Sequence, residues 1–380
     1  MDWRFSEEQS ILKKVAHDFL LDRGFTDLAR EMEEDMKGYS PQIWQEIAEM
    51  GWMGIVFPEE YGGSGMSFLD LAVLLDEMGR ACFPGPFFST VILGGLPILD
   101  AGTKEQKEEY LPGIANGKDI FTLALTEASG GYDAGSIEVD ATDDGDTYII
   151  NGKKLFVPDA NVADTMICAA RTSETPAPEK GISLFIVDAK SPGIGVTGLK
   201  TISKNKLCEV VFEQVRVPKR NALGDLNAGW NTIQKIIQWA SVAKCCEMVG
   251  GMQRVMDLTV EYAKIRAQFG ALIGTFQAVQ HHCADMLVDM DCSKAITYEA
   301  AWRLSQGLPC TKEASMAKAW VSEAYKRVVT LGTQVHGGTA IIDEHDMTLY
   351  FRRAKSAELA FGDARFHRQT VAQKLGFRIQ

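Results

Sequence analysis

The sequence has no apolar run approaching the roughly 20 residues that cross a bilayer, no basic stripe and no low-complexity tract. Each absence excludes something. No membrane span is expected. An extended disordered region has little room in a chain that is 46% hydrophobic and 24% charged. A net charge of −12 disfavours a nucleic-acid partner, which needs clustered Lys and Arg to displace counterions. Cysteine shows no paired pattern, because the eight residues from Cys82 to Cys310 lack CxxC spacing. The start MDWRFSEEQS has no basic, apolar and small signal layout, so a reducing cytoplasm is the expected location. Cys245 and Cys246 are adjacent, but in a helical apolar stretch they read as buried packing. Histidine is equally unframed: His281, His282 and His336 have no H-x-x-x-H or Cys–His set around them, and no metal site is expected. The GxGxxG dinucleotide fingerprint reads as absent too, which disfavours a nicotinamide-binding Rossmann domain.

What is present divides into three regions. A chain of 380 residues favours two or three layers or domains. Residues 1–118 carry apolar positions at helical spacing, as in Ile11, Val15, Phe19 and Ile43, Ile47, Met50, with FPEEYGGSGMS, ACFPGPFF and DAGTKEQ as interruptions. Residues 119–228 change to short β-branched and aromatic runs, TYIINGKKLFV, TMICAARTS, GISLFIVDA, GIGVTGL and CEVVFEQVRVP. Within the first of these, Asn151–Gly152 predicts a type I′ hairpin turn. Residues 229–380 return to long helical periodicity over 230–266, 276–304 and 311–334, with a last helix predicted to begin near Asp343. Segregated helices, antiparallel strands and longer helices predict an α+β fold with an N-terminal helical domain, a middle antiparallel β domain and a C-terminal helical domain.

The chemistry-bearing segments are spread along this frame. LALTEASGGYDAGS runs from a strand into a Gly, Ser and Asp loop that offers backbone amides and hydroxyls, although such a stretch also serves as an ordinary exposed turn. KLFVPDA follows on the next β segment, RAQFG and FQAVQHHCADM lie among the C-terminal helices, and QVHGGTAI precedes RRAKSAELAFGD. That ordered set, with the SEEQ helix, the PEEYGGSGMS loop and VRVPKRNALGD, resembles the acyl-CoA dehydrogenase family along essentially the whole chain.

The resemblance implies three domains, the α+β acyl-CoA dehydrogenase fold, with FAD between the middle β domain and a C-terminal four-helix bundle, usually near a subunit interface. It also implies an acyl-CoA substrate, oxidised to a 2-enoyl-CoA by hydride loss to the flavin and loss of an α-proton. Electrons then pass to an electron-transferring flavoprotein. Residue by residue, it assigns Leu125, Thr126, Ser129, Gly130 and Gly131 to the segment beside flavin and thioester. Phe156 and Pro158 stand where the family commonly has Trp and Thr; the hydroxyl is lost, but a ring remains to cover the flavin. Arg266, Gln268 and Phe269, and Gln334, Gly337 and Gly338, match segments that reach the FAD of a neighbouring subunit. An Arg fork suits pyrophosphate oxygens, and paired glycines let backbone approach a phosphate.

The catalytic base is where the sequence departs from the family. Taking an α-proton needs a positioned carboxylate. The family usually carries Glu at the position of Phe361, after the run Arg352, Arg353, Ala354, Lys355. A minority carries it at the position of Ser241. Glu247 is predicted to face elsewhere, and Asp363 is either a displaced base or a helix cap. The combination resembles the base-less subunit of heteromeric acyl-CoA dehydrogenases, with the Glu on a second dehydrogenase-type chain. A self-sufficient homo-oligomer using Asp363 and a flavin-free scaffold subunit remain as alternatives.

Overall fold

Helices begin where the sequence supplies caps. The computed structural model describes residues 5–377. Its first six helices are α1 (Glu7–Asp22), α2 (Phe25–Glu34), α3 (Pro41–Glu49), α4 (Phe68–Arg80), α5 (Leu96–Ala101) and α6 (Lys104–Ala115). Ser6 with Gln9, and Thr103 with Gln106, form reciprocal capping boxes that satisfy the orphan N–H groups of α1 and α6. Pro41 at the first turn of α3 follows the N-cap Ser40, where a missing N–H costs nothing.

The middle of the chain forms β1 (Phe121–Ala124), β2 (Asp140–Asp144), β3 (Thr147–Pro158), β4 (Thr165–Arg171), β5 (Ile182–Asp188), β6 (Ile194–Leu199), β7 (Leu207–Pro218) and β8 (Ala222–Leu223). They make one sheet in the order β6-β7-β3-β2-β4-β5-β8, with β1 added parallel to β4. Val139, Ile150, Val157, Phe185, Val210 and Phe212 are among its buried core. The C-terminal region has α7 (Gly229–Ile265), a short hairpin of β9 (Ala267–Gln268) and β10 (Ala271–Leu272), α8 (Gln277–Ser305), α9 (Thr311–His336), α10 (Asp346–Leu359) and α11 (Ala364–Lys374). The order of helical, β and helical regions is as expected. The chain packs as two units that interleave in sequence: residues up to Arg30, Ser67–Phe83 and Gln238 onward form one, and Glu31–Met66 with Pro84–Ile237 form the other.

Three expectations are corrected. Asn151–Gly152 is not a turn. β3 runs through it, with a slip in its pairing to β7 between Ile150 and Gly152, and the β2–β3 turn falls instead at Gly145–Asp146. Asn151 Oδ1 accepts from the Gln214 backbone N–H at 2.8 Å, and Gly152 sits at φ +132 with Val139 packed against it. The dipeptide therefore serves a bulge, the other backbone feature that asks for Gly. Second, the helix predicted near Asp343 starts at Asp346 and is not the last, because α11 follows a break at Ala360–Asp363. Third, a GxGxxG string does occur, from Gly193 to Gly198. From Ile194 onward it is β6, antiparallel to β7, so topology, not the absence of the letters, excludes a dinucleotide-binding βα turn.

Candidate functional site

In the unit that carries the sheet, the segment after β1 is tied to β3 from below. Leu155 N–H donates to Thr126 O at 2.8 Å. Lys154, wholly buried in β3, donates through Nζ to Glu127 Oε1 at 2.6 Å and to Leu125 O at 3.2 Å. The buried Glu127 carboxylate also accepts from the backbone N–H groups of Glu138 at 2.9 Å and Val139 at 3.2 Å. A buried charge is tolerable only with this kind of pairing and complete hydrogen bonding. Two residues beyond Lys154, the β3–β7 register slips again, and Phe156 occupies the slip at φ +55 with 52% of its surface exposed. The carbonyl of Pro158 accepts the Thr122 hydroxyl. Leu125, Thr126, Phe156 and Pro158 are thus held on adjoining backbone, and Ser129 and Gly130 continue into an exposed loop. Gly130 has φ +68 and open space around a would-be Cβ, whereas a Cβ on Gly131 would lie 1.9 Å from Ser136 Oγ. Gly131 is therefore required by the loop's own packing.

In the helical unit, Arg266 leaves α7 for the β9–β10 hairpin. Its two loop residues, Phe269 at φ +56 and Gly270 at φ +78, are both left-handed, as a type I′ turn demands. Phe269 is 94% exposed. Tyr262 near the end of α7 stacks on His336 at the end of α9, ring centroids 4.4 Å apart, and Ala263, Ile273 and Val335 pack together beside them. The stack joins the Arg266–Phe269 segment to the Gln334–Gly338 segment, 65 or more residues apart in sequence. Arg266, Gln268, Gln334, Gly337 and Gly338 are all exposed, and a Cβ on either glycine would meet nothing within 4 Å. Burial pushes the His336 imidazole down to about 4.

Phe361, the residue at which the resemblance leads us to expect the base, lies in the break between α10 and α11. Phe361 at φ +58 and Gly362 at φ +100 turn the chain, and Asp363 then caps α11, its Oδ1 accepting from the Phe366 N–H at 2.8 Å. The turn is anchored from inside. Lys318, fully buried in α9, donates to Ser322 Oγ, Glu358 O and Gly362 O, each at 3.0 Å. His367 Nε2 lies 3.0 Å from the Phe361 carbonyl and Nδ1 3.2 Å from Ser315 Oγ. Burial lowers Lys318 to about 8 and His367 to about 4. At 3.0 Å from a carbonyl, a neutral His367 carries its proton on Nε2 and accepts from Ser315 through Nδ1. Ser241 is buried in α7, and its hydroxyl has no hydrogen-bond partner among the described residues. Glu247 pairs with Lys244. Cys245 and Cys246 are wholly buried, and desolvation pushes the Cys245 thiol up to about 12, which leaves it inert.

The anchors Lys154, Glu127, Lys318 and His367 escaped the sequence reading. Lys318 had a signal, since it falls at helical spacing among Ala314, Ala317, Val321 and Ser322 on an otherwise apolar or small-residue face. Nothing local distinguishes Lys154 from its exposed neighbour Lys153.

Comparison with known proteins decides the family. Three family models match in order: acyl-CoA dehydrogenase N-terminal domain over residues 6–118, middle domain over 122–215 and C-terminal domain over 227–376. The chain belongs to the acyl-CoA dehydrogenase family. Within that family it is 33% identical to the probable acyl-CoA dehydrogenase YngJ of Bacillus subtilis (strain 168), covering 99% of this chain and 100% of that one. It is also 33% identical to the caffeyl-CoA reductase-Etf complex subunit CarC of Acetobacterium woodii, over 98% and 99% of the two chains. Among solved structures, an FAD complex of PigA superposes with a TM-score of 0.92 at 27% identity, over 99% of each chain. An acyl-CoA dehydrogenase family chain of this kind is an oxidoreductase.

Proposed function

We propose that this acyl-CoA dehydrogenase homologue binds FAD and takes part in the α,β-oxidation or reduction of an acyl-CoA thioester, as the base-less subunit of a heteromeric complex. One observation carries the reading: the turn at Phe361 is anchored from inside by Lys318 and His367, yet it presents a phenyl ring where proton transfer needs a carboxylate. The nearby alternatives are otherwise engaged. Asp363 accepts the Phe366 N–H as the cap of α11, and position 241 is a serine.

The residues present fit a flavin. Phe156 holds a half-bare ring at positive φ, a strained placement that suits a planar ligand better than it suits the strand. Gly337 and Gly338 border open space into which a Cβ would project, and the exposed Arg266 offers a bidentate fork for phosphate oxygens. Bound FAD would supply the hydride acceptor or donor. The chain's own part is to bind and orient: Leu125, Thr126, Ser129, Gly130, Gly131, Phe156 and Pro158 from the sheet, and Arg266, Gln268, Phe269, Gln334, Gly337 and Gly338 from the helices. The last six suit the FAD of a neighbouring subunit. The names of CarC and its Etf complex support exchange of electrons with an electron-transferring flavoprotein. We place the domain boundaries at 118/119 and 228/229, near the ends of the matched spans 6–118, 122–215 and 227–376.

The test is turnover. Purified alone, the chain should show flavin absorbance and almost no acyl-CoA-dependent dye reduction; co-expressed with a Glu-bearing dehydrogenase-type partner, it should gain turnover. Full activity alone removes the heteromeric reading, and a colourless chain that does not take up FAD removes the flavin reading.

A further inference from the structure

Lys154 is one of two lysines on which no surface is left to solvent, Lys318 being the other among the described residues. It lies inside a strand whose neighbours on the sequence, Lys153 and Leu155, are exposed or half-buried. Nothing in the sheet's hydrophobic core requires a cation there. Its ammonium reaches across to the segment that follows β1, where it meets the Glu127 carboxylate at 2.6 Å and the Leu125 carbonyl at 3.2 Å. Glu127 then extends the contact to the backbone of Glu138 and Val139.

The direction of these bonds matters. The carbonyls of Leu125 and Thr126 both point at β3, one taken by Lys154 Nζ and the other by the Leu155 N–H at 2.8 Å. The side chain of residue 127 is drawn inward by three donors. Three consecutive residues, Leu125, Thr126 and Glu127, are therefore each fixed by a hydrogen bond to β3, and Thr126 between them is half-buried. The same strand, one residue past Leu155, releases Phe156 into the bulge at φ +55. One buried cation thus ties together the two segments of the sheet that the proposed function places beside the flavin.

We infer that the Lys154–Glu127 pair is a positioning device for FAD, presetting the Leu125–Glu127 segment against Phe156 before the cofactor arrives. Lys154 touches no ligand; it acts through the backbone it holds. The inference rests on the flavin reading above and adds to it a residue outside the binding surface. Preorganisation of this sort raises affinity by removing the cost of ordering a loop on binding, and a buried ion pair is better suited to specifying one arrangement than to adding stability.

The experiment separates stability from affinity. FAD is removed and titrated back into the wild type, Lys154→Met and the double variant Lys154→Met/Glu127→Leu. Lys154→Met strands a buried carboxylate and should melt early. The double variant replaces the pair by apolar groups, and should recover most of the melting temperature while binding FAD at least tenfold more weakly and with altered flavin absorbance. Parental FAD affinity in the folded double variant overturns the inference. A wild type that takes up no FAD overturns it as well, and with it the flavin reading, whereas unchanged variants beside an FAD-binding wild type leave that reading intact. A further check needs no variant: in FAD-stripped wild type the Leu155 amide, bonded to Thr126 O, should be protected from hydrogen exchange. Exchange at the rate of an exposed loop would show that the segment is not preset.

Discussion

Phe361, Phe156 and Phe269 share an unfavourable feature. Each is a bulky residue at positive φ, between +55 and +58, a conformation that L side chains other than Asn and Asp rarely adopt. All three fall in segments that we propose face the cofactor or the acyl group, and functional sites are where backbone strain tends to collect. For Phe361 the anchors below the turn fix the backbone independently of the side chain, so a carboxylate introduced there inherits the same placement. Phe361→Glu should therefore raise α-proton exchange or acyl-CoA-dependent flavin reduction above the parent, read by deuterium loss or bleaching of the flavin band. The gain is bounded by the ~10²–10⁴-fold that a well-placed general base gives. Asp363 has a different role. Asp363→Ala should cost about 1 kcal/mol of stability as a lost N-cap, while Asp363→Asn, which still caps, should leave both melting and activity near the parent. Loss of activity in Asp363→Asn with FAD retained would make it the displaced base. At the third segment, Arg266→Ala removes a charge-assisted phosphate contact and should weaken FAD by roughly 1.5–3 kcal/mol, measured by titration of the apoprotein; unchanged affinity takes Arg266 out of the site.

At the scale of elements, α9 organises the helical unit. Its face carries Ser315, Lys318 and Ser322 toward the α10–α11 break, and its end carries His336 onto Tyr262 of α7. Both of the buried histidines near it are held neutral, with His336 and His367 each pushed down to about 4 by burial. The sign of the linkage follows. The unfolded chain takes up a proton at each site near pH 6.5, the folded chain only near 4, so protonation favours the unfolded state across that interval. Stability present above pH 6.5 is lost as pH falls toward 4, by on the order of 3 kcal/mol for a shift of this size at one site. Denaturant unfolding at pH 7 and pH 4.5 should show the loss, and His367→Gln should flatten part of the slope. An unaltered slope would place the titration elsewhere.

Across the whole molecule, pattern and order were legible and placement was not. Helical spacing in the first and last regions, and β-branched runs in the middle, fix the sequence of element types, because burial of one face imposes a period on each. The motif order also carried the family, and the letters at 241 and 361 showed that neither position holds a carboxylate. One local signal misled and one spacing was passed over, because a dipeptide or a spacing has several structural uses. Asn151–Gly152 suits a bulge as well as a hairpin turn, and Gly193–Gly198 suits an edge strand as well as a phosphate loop. Only tertiary structure selected among them, through β7 lying alongside β3 and β6. The same holds for the anchors. A buried cation is stable only where distant groups supply acceptors, and those acceptors, Glu127 for Lys154 and the carbonyls of Glu358 and Gly362 for Lys318, lie 27 to 44 residues away along the chain. The sequence by itself determined which element types form and that position 361 carries no carboxylate; packing alone decided which polar groups are held inside, Lys154 beneath Phe156 in one unit and Lys318 beneath Phe361 in the other, because desolvation is paid or not according to partners that only the fold brings together.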